Sequence, residues 1–179
     1  MNTPNKLTVF RMIMVPVFVA VMLGDFPGSA GKWVSLAIFV IASATDWLDG
    51  YLARKNNLVT DFGKFMDPLA DKLLVCSALI CLMDLGKIPA WALIIIIGRE
   101  FIISGFRLVA ADNGIVIAAS YWGKFKTVSQ MAMTIVMLMD LGGGFQTLET
   151  LLLYLSLVLT VISLVDYIWK NRQVISMQK

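Results

Sequence analysis

The chain has 179 residues, 59% of them hydrophobic and 15% charged, with 15 Lys and Arg against 12 Asp and Glu for a net charge of +3. A mean hydropathy of +0.81 excludes an ordinary water-soluble domain and describes an integral membrane protein. The absence of histidine excludes imidazole catalysis and imidazole metal ligation, leaving carboxylates, Lys, Tyr and water for any proton transfer.

Apolar stretches centred on residues 9–23, 33–45, 68–83, 88–106, 127–139 and 148–169 predict six membrane helices in one all-α domain spanning 1–179. Several of them reach spanning length only when neighbouring polar residues are included. The first is preceded by a short interfacial segment, in which Thr3-Pro4 reads as a helix start and Asn5, Thr8 and Arg11 recur every three residues on one polar face. Lys6 and Arg11 before an apolar run also suit a secretory leader. Arg11 and Pro16 interrupt that run, however, and favour a retained helix. Cys76 and Cys81 lie five apart on the third helix, point in different directions, and read as packing residues. Gly142-Gly143-Gly144 marks a turn before the last helix, and Trp33, Trp91, Trp122 and Trp169 near helix ends read as interfacial anchors.

With six spans, one side of the membrane collects Lys6, Arg11, Arg54, Lys55, Lys64, Lys72, Arg99, Arg107, Lys124, Lys126, Lys170, Arg172 and Lys179, and the other receives only Lys32 and Lys87. This asymmetry predicts both termini in the cytoplasm, and the basic inner surface suits anionic membrane lipid. No nucleic-acid partner is expected.

The densest chemical signal is a set of four aspartates, Asp46, Asp49, Asp67 and Asp71, in the pattern D-x2-D-G-x2-A-R-x8-G-x3-D-x3-D. On helices, Asp46 and Asp49 stand three apart and Asp67 and Asp71 four apart, so each pair shares a face. Counted from the outer ends of their helices, Asp46 and Asp71 lie roughly 20 Å and roughly 18 Å deep, so the pairs reach a similar level. Carboxylates at such depth cost about 2.5–3.5 kcal/mol each and need a counter-charge. An oxygen-only donor set suits hard divalent ions, Mg2+ or Mn2+, which would clamp a diphosphate and stabilise a leaving phosphate. Gly50 and Gly63 permit close approach of a ligand or a neighbouring helix, Ala53 keeps the wall low, and Arg54 suits a phosphate. The plainer alternative is ion pairing of the acids with Arg54, Lys55, Lys64 and Lys72.

This pattern resembles the signature of the CDP-alcohol phosphotransferase family, matched by Asp46, Asp49, Gly50, Ala53, Arg54, Gly63, Asp67 and Asp71 without a departure. The resemblance implies six membrane helices and a cytoplasmic-side site. It also implies two divalent ions on the four aspartates at the diphosphate of a CDP-linked substrate, with Asp71 as the base for the acceptor hydroxyl. Gly50, Arg54 and Thr60, with Asn5 and Thr8, would line the nucleotide site, and a homodimer is expected.

A second polar group follows: Arg99-Glu100, Ser104, Arg107 and Gly123-Lys124-Phe125-Lys126-Thr127. Arg99 and Arg107 are close to two helical turns apart, so they share a face and, with Lys124 and Lys126, compose a candidate phosphate pocket. For each lysine, ordinary anchoring at the inner surface is an equal alternative. The stretch GREFIISGFRLVAADNGIVIAASYWGKFKT is similar to the corresponding region of the phosphatidylglycerophosphate synthase branch of that family in bacteria. That likeness implies CDP-diacylglycerol as donor, sn-glycerol 3-phosphate as acceptor, and a location in the bacterial cell membrane. The rivals are another acceptor (serine, inositol phosphate or phosphatidylglycerol), an aspartate-rich membrane prenyltransferase, and a cation carrier using the acids as an ion site.

Overall fold

The computed structural model describes residues 3–24, 30–55, 61–112, 114–115, 117 and 120–172, with side chains described except over 3–7, 46–55, 61–68 and at 112. Among the described residues there are six helices and no strand: α1 (Thr3–Leu23), α2 (Ala30–Lys55), α3 (Asp61–Asp84), α4 (Ala90–Asp112), α5 (Tyr121–Met139) and α6 (Phe145–Lys170). Each predicted apolar stretch falls on one helix, 88–106 beginning two residues before α4, and α2 and α3 extend through the polar pattern as expected. The N-terminal segment with Asn5 and Thr8 is continuous with α1, and Pro16 sits inside that helix without ending it.

At 26 residues, α6 spans about 39 Å and is the one described helix whose length and apolarity together suit a membrane crossing. Thr8–Leu23 and Ala30–Thr45 are apolar but shorter runs. Arg99, Glu100 and Arg107 interrupt α4, and Lys124 and Lys126 interrupt α5. The surface nonetheless differs from that of a water-soluble bundle. Ile94, Phe101, Leu108, Phe125, Leu151 and Val158 are exposed, whereas Thr8, Arg11, Arg99, Lys126, Gln130, Thr134 and Thr160 are buried within an otherwise apolar core. Large apolar side chains outside, with charged groups held inside, suit a lipid environment.

The chain divides into two compact units. The first comprises Met1–Lys87 with Met137–Asp140, in which α1 packs on both α2 and α3. Fully buried Phe18 and Phe39 join α1 to α2, their ring centroids 6.1 Å apart. The second comprises Ile88–Val136 with Leu141–Lys179, in which α4 packs on α6.

Glycine ends two helices for a local reason. At the end of α3, Gly86 has φ +75°, its N–H donates to Met83 O at 2.9 Å, and the Lys87 N–H donates to Leu82 O at 2.9 Å. The same pair of bonds ends α4, where Gly114 donates to Ala111 O and Ile115 to Ala110 O. A left-handed residue is what allows these two bonds to close on the last free carbonyls.

The first of these caps delivers Lys87 to the loop after α5. There Asp140 adopts φ +44°, accepts from Lys87 Nζ through Oδ1 at 2.6 Å, and accepts from Lys32 Nζ through its carbonyl at 3.0 Å. The Lys87 hydrogen bond holds the Asp140 carboxyl below the usual range; desolvation opposes this, and the fields of Lys87 and Lys32 reinforce it. A carboxylate with a lowered folded pKa stabilises above its unfolded pKa, near 3.9, and loses that contribution as pH falls through the folded value. Asp140→Asn retains a residue type tolerant of positive φ and removes only the charge. Because the pair is solvent-screened, thermal melting in detergent should show a deficit of about 1–2 °C at pH 7. The deficit should shrink as pH falls below about 4 and vanish once the folded carboxyl is protonated.

Candidate functional site

The aspartates of the pattern fall on two helices of the first unit. Asp46 and Asp49 lie in the C-terminal part of α2, with Gly50, Ala53 and Arg54, and Asp67 and Asp71 lie in the first three turns of α3, after Gly63. Asp71 is half-buried and engaged in polar interaction. The side-chain surroundings of Asn5, Asp46, Asp49, Gly50, Ala53, Arg54, Gly63 and Asp67 lie outside the described residues, as does Thr60 altogether. Among the described side chains no group of three or more Cys, Asp or Glu forms a metal cluster.

What the structure does describe is the support behind α2. Thr8 and Arg11 are fully buried, and Arg11 Nε donates to the Ala42 carbonyl at 3.2 Å, across 31 residues of sequence. Thr45 Oγ1 donates to the same carbonyl at 2.7 Å. Ala42 is one turn ahead of Asp46, so a buried guanidinium is fixed to the backbone where the aspartate segment begins. The face that carries Thr8 and Arg11 is therefore an interior face, and Arg11 ties it to α2.

A cavity of about 200 Å3 also belongs to the first unit, lined by Met22, Lys32, Ser35, Leu85, Lys87 and Asp140 among others. It lies at the opposite ends of α2 and α3 from the aspartates, since Lys32 precedes Asp46 by fourteen residues, roughly 21 Å of helix. It is a separate feature of the fold.

In the second unit the cationic residues separate into a buried pair and an exposed pair. Arg99 is 8% exposed and Lys126 is 2% exposed. Both meet the carboxylate of Glu100: Arg99 Nη1 donates to Oε1 at 3.1 Å, and Lys126 Nζ donates to the same oxygen. A cation of α4 and a cation of α5 are thus brought together at one carboxylate. Arg107 and Lys124 are exposed and lie over aromatic rings, Arg107 at 6.0 Å from the Tyr167 centroid and Lys124 at 5.4 Å from Tyr121.

Local structure explains how α5 delivers Lys126. Ser120 Oγ accepts from the Gly123 N–H at 3.1 Å, the bond of an N-cap residue to the third helical position. A Cβ at Gly123 would stand 3.3 Å from Arg99 Nη2, so the glycine gives the guanidinium its room. A residue that sequence reading overlooked is Ser163 on α6, whose Oγ accepts from Arg99 Nε at 3.1 Å. Nothing in the sequence pairs positions 64 residues apart, and a serine in an apolar helix gives no signal of its own.

The sequence pattern of the CDP-alcohol phosphatidyltransferases matches residues 1–162. The chain belongs to the CDP-alcohol phosphatidyltransferase family. As a member it is a transferase of that type, and the match runs through both compact units. Among curated relatives, the chain is similar to the CDP-diacylglycerol–glycerol-3-phosphate 3-phosphatidyltransferase of Bacillus subtilis, 44% identical over 95% of each chain. It is 41% identical to a probable phosphatidylglycerophosphate synthase of Mycobacterium tuberculosis, covering 93% of this chain and 80% of the relative. The CDP-diacylglycerol–glycerol-3-phosphate 3-phosphatidyltransferase of Haemophilus influenzae is 40% identical, with 93% and 91% covered.

The shared carboxylate makes Glu100 the keystone of the buried cations in this family member. Glu100→Ala leaves Arg99 and Lys126 buried without it, which should cost about 3 kcal/mol of stability. Denaturation in detergent micelles measures this, and a loss under about 1 kcal/mol would show that the cations find other anions.

Proposed function

We propose that the chain transfers the phosphatidyl group of CDP-diacylglycerol to sn-glycerol 3-phosphate, giving phosphatidylglycerol phosphate and CMP. The observation that carries the acceptor is the meeting of two buried cations, Arg99 and Lys126, at one carboxylate, a pair of donors that suits a phosphomonoester and that serine would not require. Relatives named for this reaction, similar over nearly the whole chain, support the same reading. In this reading the two units act as one catalytic domain over 1–179. It has six membrane spans, both termini and the active site on the cytoplasmic side of a bacterial cell membrane, and pairs with a second copy.

Asp46, Asp49, Asp67 and Asp71 fit divalent cations by donor chemistry, four carboxylates on two helices that pack in one unit. Bound there, two Mg2+ or Mn2+ ions would neutralise the donor diphosphate and the departing phosphate oxygen. Asn5, Thr8, Gly50, Ala53, Arg54, Thr60 and Gly63 compose the CDP-lipid site. Arg99 and Lys126 hold the acceptor phosphate, with Arg107 and Lys124 at the exposed side. The acceptor hydroxyl oxygen attacks the lipid-linked phosphorus, the bond from that phosphorus to CMP breaks, CMP departs with the electron pair, and Asp71 takes the hydroxyl proton.

Two experiments test this. Purified protein in detergent with CDP-diacylglycerol and Mg2+ should release CMP with glycerol 3-phosphate, and release should stop with EDTA and return with Mg2+. Serine, inositol phosphate and phosphatidylglycerol run in parallel; turnover with one of these alone reassigns the acceptor and leaves the donor site standing. Asp71→Asn keeps the shape but not the proton acceptor, and should lower kcat by about 100-fold or more while CDP-lipid binding persists. Near-normal kcat would remove Asp71 from the role of base.

A further inference from the structure

On α6, Ser156, Thr160, Ser163 and Tyr167 are buried along one face. Ser163 differs from its neighbours in that both of its hydrogen-bonding capacities are used. Its hydroxyl donates to Thr160 O at 2.9 Å, and Oγ accepts from Arg99 Nε at 3.1 Å. With the single hydroxyl hydrogen committed to the helix backbone, an oxygen lone pair is turned toward α4. The Arg99 guanidinium is thereby tied at two separate points, Nε to Ser163 and Nη1 to Glu100. Two anchors on a planar group fix its plane as well as its position. Among the described residues Nη2 donates to no acceptor, and the absence of a side chain at Gly123 keeps it from being crowded on that side.

We propose that Ser163 is a positioning residue for acceptor binding: by accepting from Arg99 Nε it holds the guanidinium so that its Nη2 edge is presented to the acceptor phosphomonoester. This rests on the reading of Arg99 as an acceptor-phosphate contact. It adds a determinant from the last helix, one residue beyond the 1–162 span that matches the family. Without the hydroxyl, Arg99 keeps only the Glu100 anchor and swings into a tighter pair with that carboxylate, withdrawing from the phosphate. A small residue replaced by a smaller one leaves the packing of α4 on α6 in place, so the effect is confined to orientation.

The test compares wild type, Ser163→Ala, Ser163→Thr and Arg99→Ala as purified full-length protein in detergent, measuring CMP release at varied glycerol 3-phosphate and, separately, varied CDP-diacylglycerol. Ser163→Ala should raise KM for glycerol 3-phosphate about three- to tenfold, with kcat and KM for CDP-diacylglycerol within about twofold. Ser163→Thr, which restores a hydroxyl, should return KM to within about twofold of wild type. The inference is overturned if Ser163→Ala leaves that KM unchanged, if kcat and both KM values move together, or if threonine gives no rescue. If Arg99→Ala raises KM while Ser163→Ala does not, the inference about Ser163 alone fails. If Arg99→Ala also leaves KM unchanged, the acceptor assignment of Arg99 fails and takes Ser163 with it.

Discussion

A cation enclosed by apolar helices must be answered from inside the protein, because lipid offers it nothing. Arg11, Arg99 and Lys126 are the buried cations among the described residues, and each compact unit answers its own. In the first, the guanidinium of α1 is bound to a backbone carbonyl of α2. In the second, α4 and α5 bring their cations to one carboxylate, and α6 contributes a hydroxyl. The exterior is then free to be apolar, and side chains such as Ile94 and Leu151 need no polar neighbours.

The same constraint accounts for a division of labour along the helices of the first unit. Near one end, Lys32, Lys87 and Asp140 form a small solvent-facing clamp beside a cavity. The middle is apolar and holds α1 to α2 through Phe18 and Phe39. Toward the other end stand Arg11 and the aspartate-bearing turns of α2 and α3.

Much of this was legible in the sequence, and the remainder failed to be for identifiable reasons. Hydropathy placed all six helices, because burial against lipid or protein demands long apolar runs. Their extension through the D-x2-D and D-x3-D segments followed from the length a membrane span needs, which the apolar runs alone do not reach. The periodicity of Thr8 and Arg11 revealed a shared face but suggested that it met the membrane surface; only packing shows that it meets α2. Treating Arg99, Arg107, Lys124 and Lys126 as one group was too coarse. Helical spacing aligns the two arginines, yet burial separates Arg99 and Lys126 from the exposed Arg107 and Lys124. Ser163 was illegible because its meaning comes wholly from a partner on another helix.

The hydrogen bond between Arg99 and Ser163 joins positions 64 residues apart, and that separation has a meaning in time. During synthesis α4 emerges with its arginine and glutamate already present, while α6 follows later. At ordinary elongation rates of about 5–20 residues per second, the guanidinium lacks its hydroxyl for about 3–13 s. The second unit therefore cannot complete its interior until α6 has been made, and until then the arginine of α4 lacks one of its two anchors.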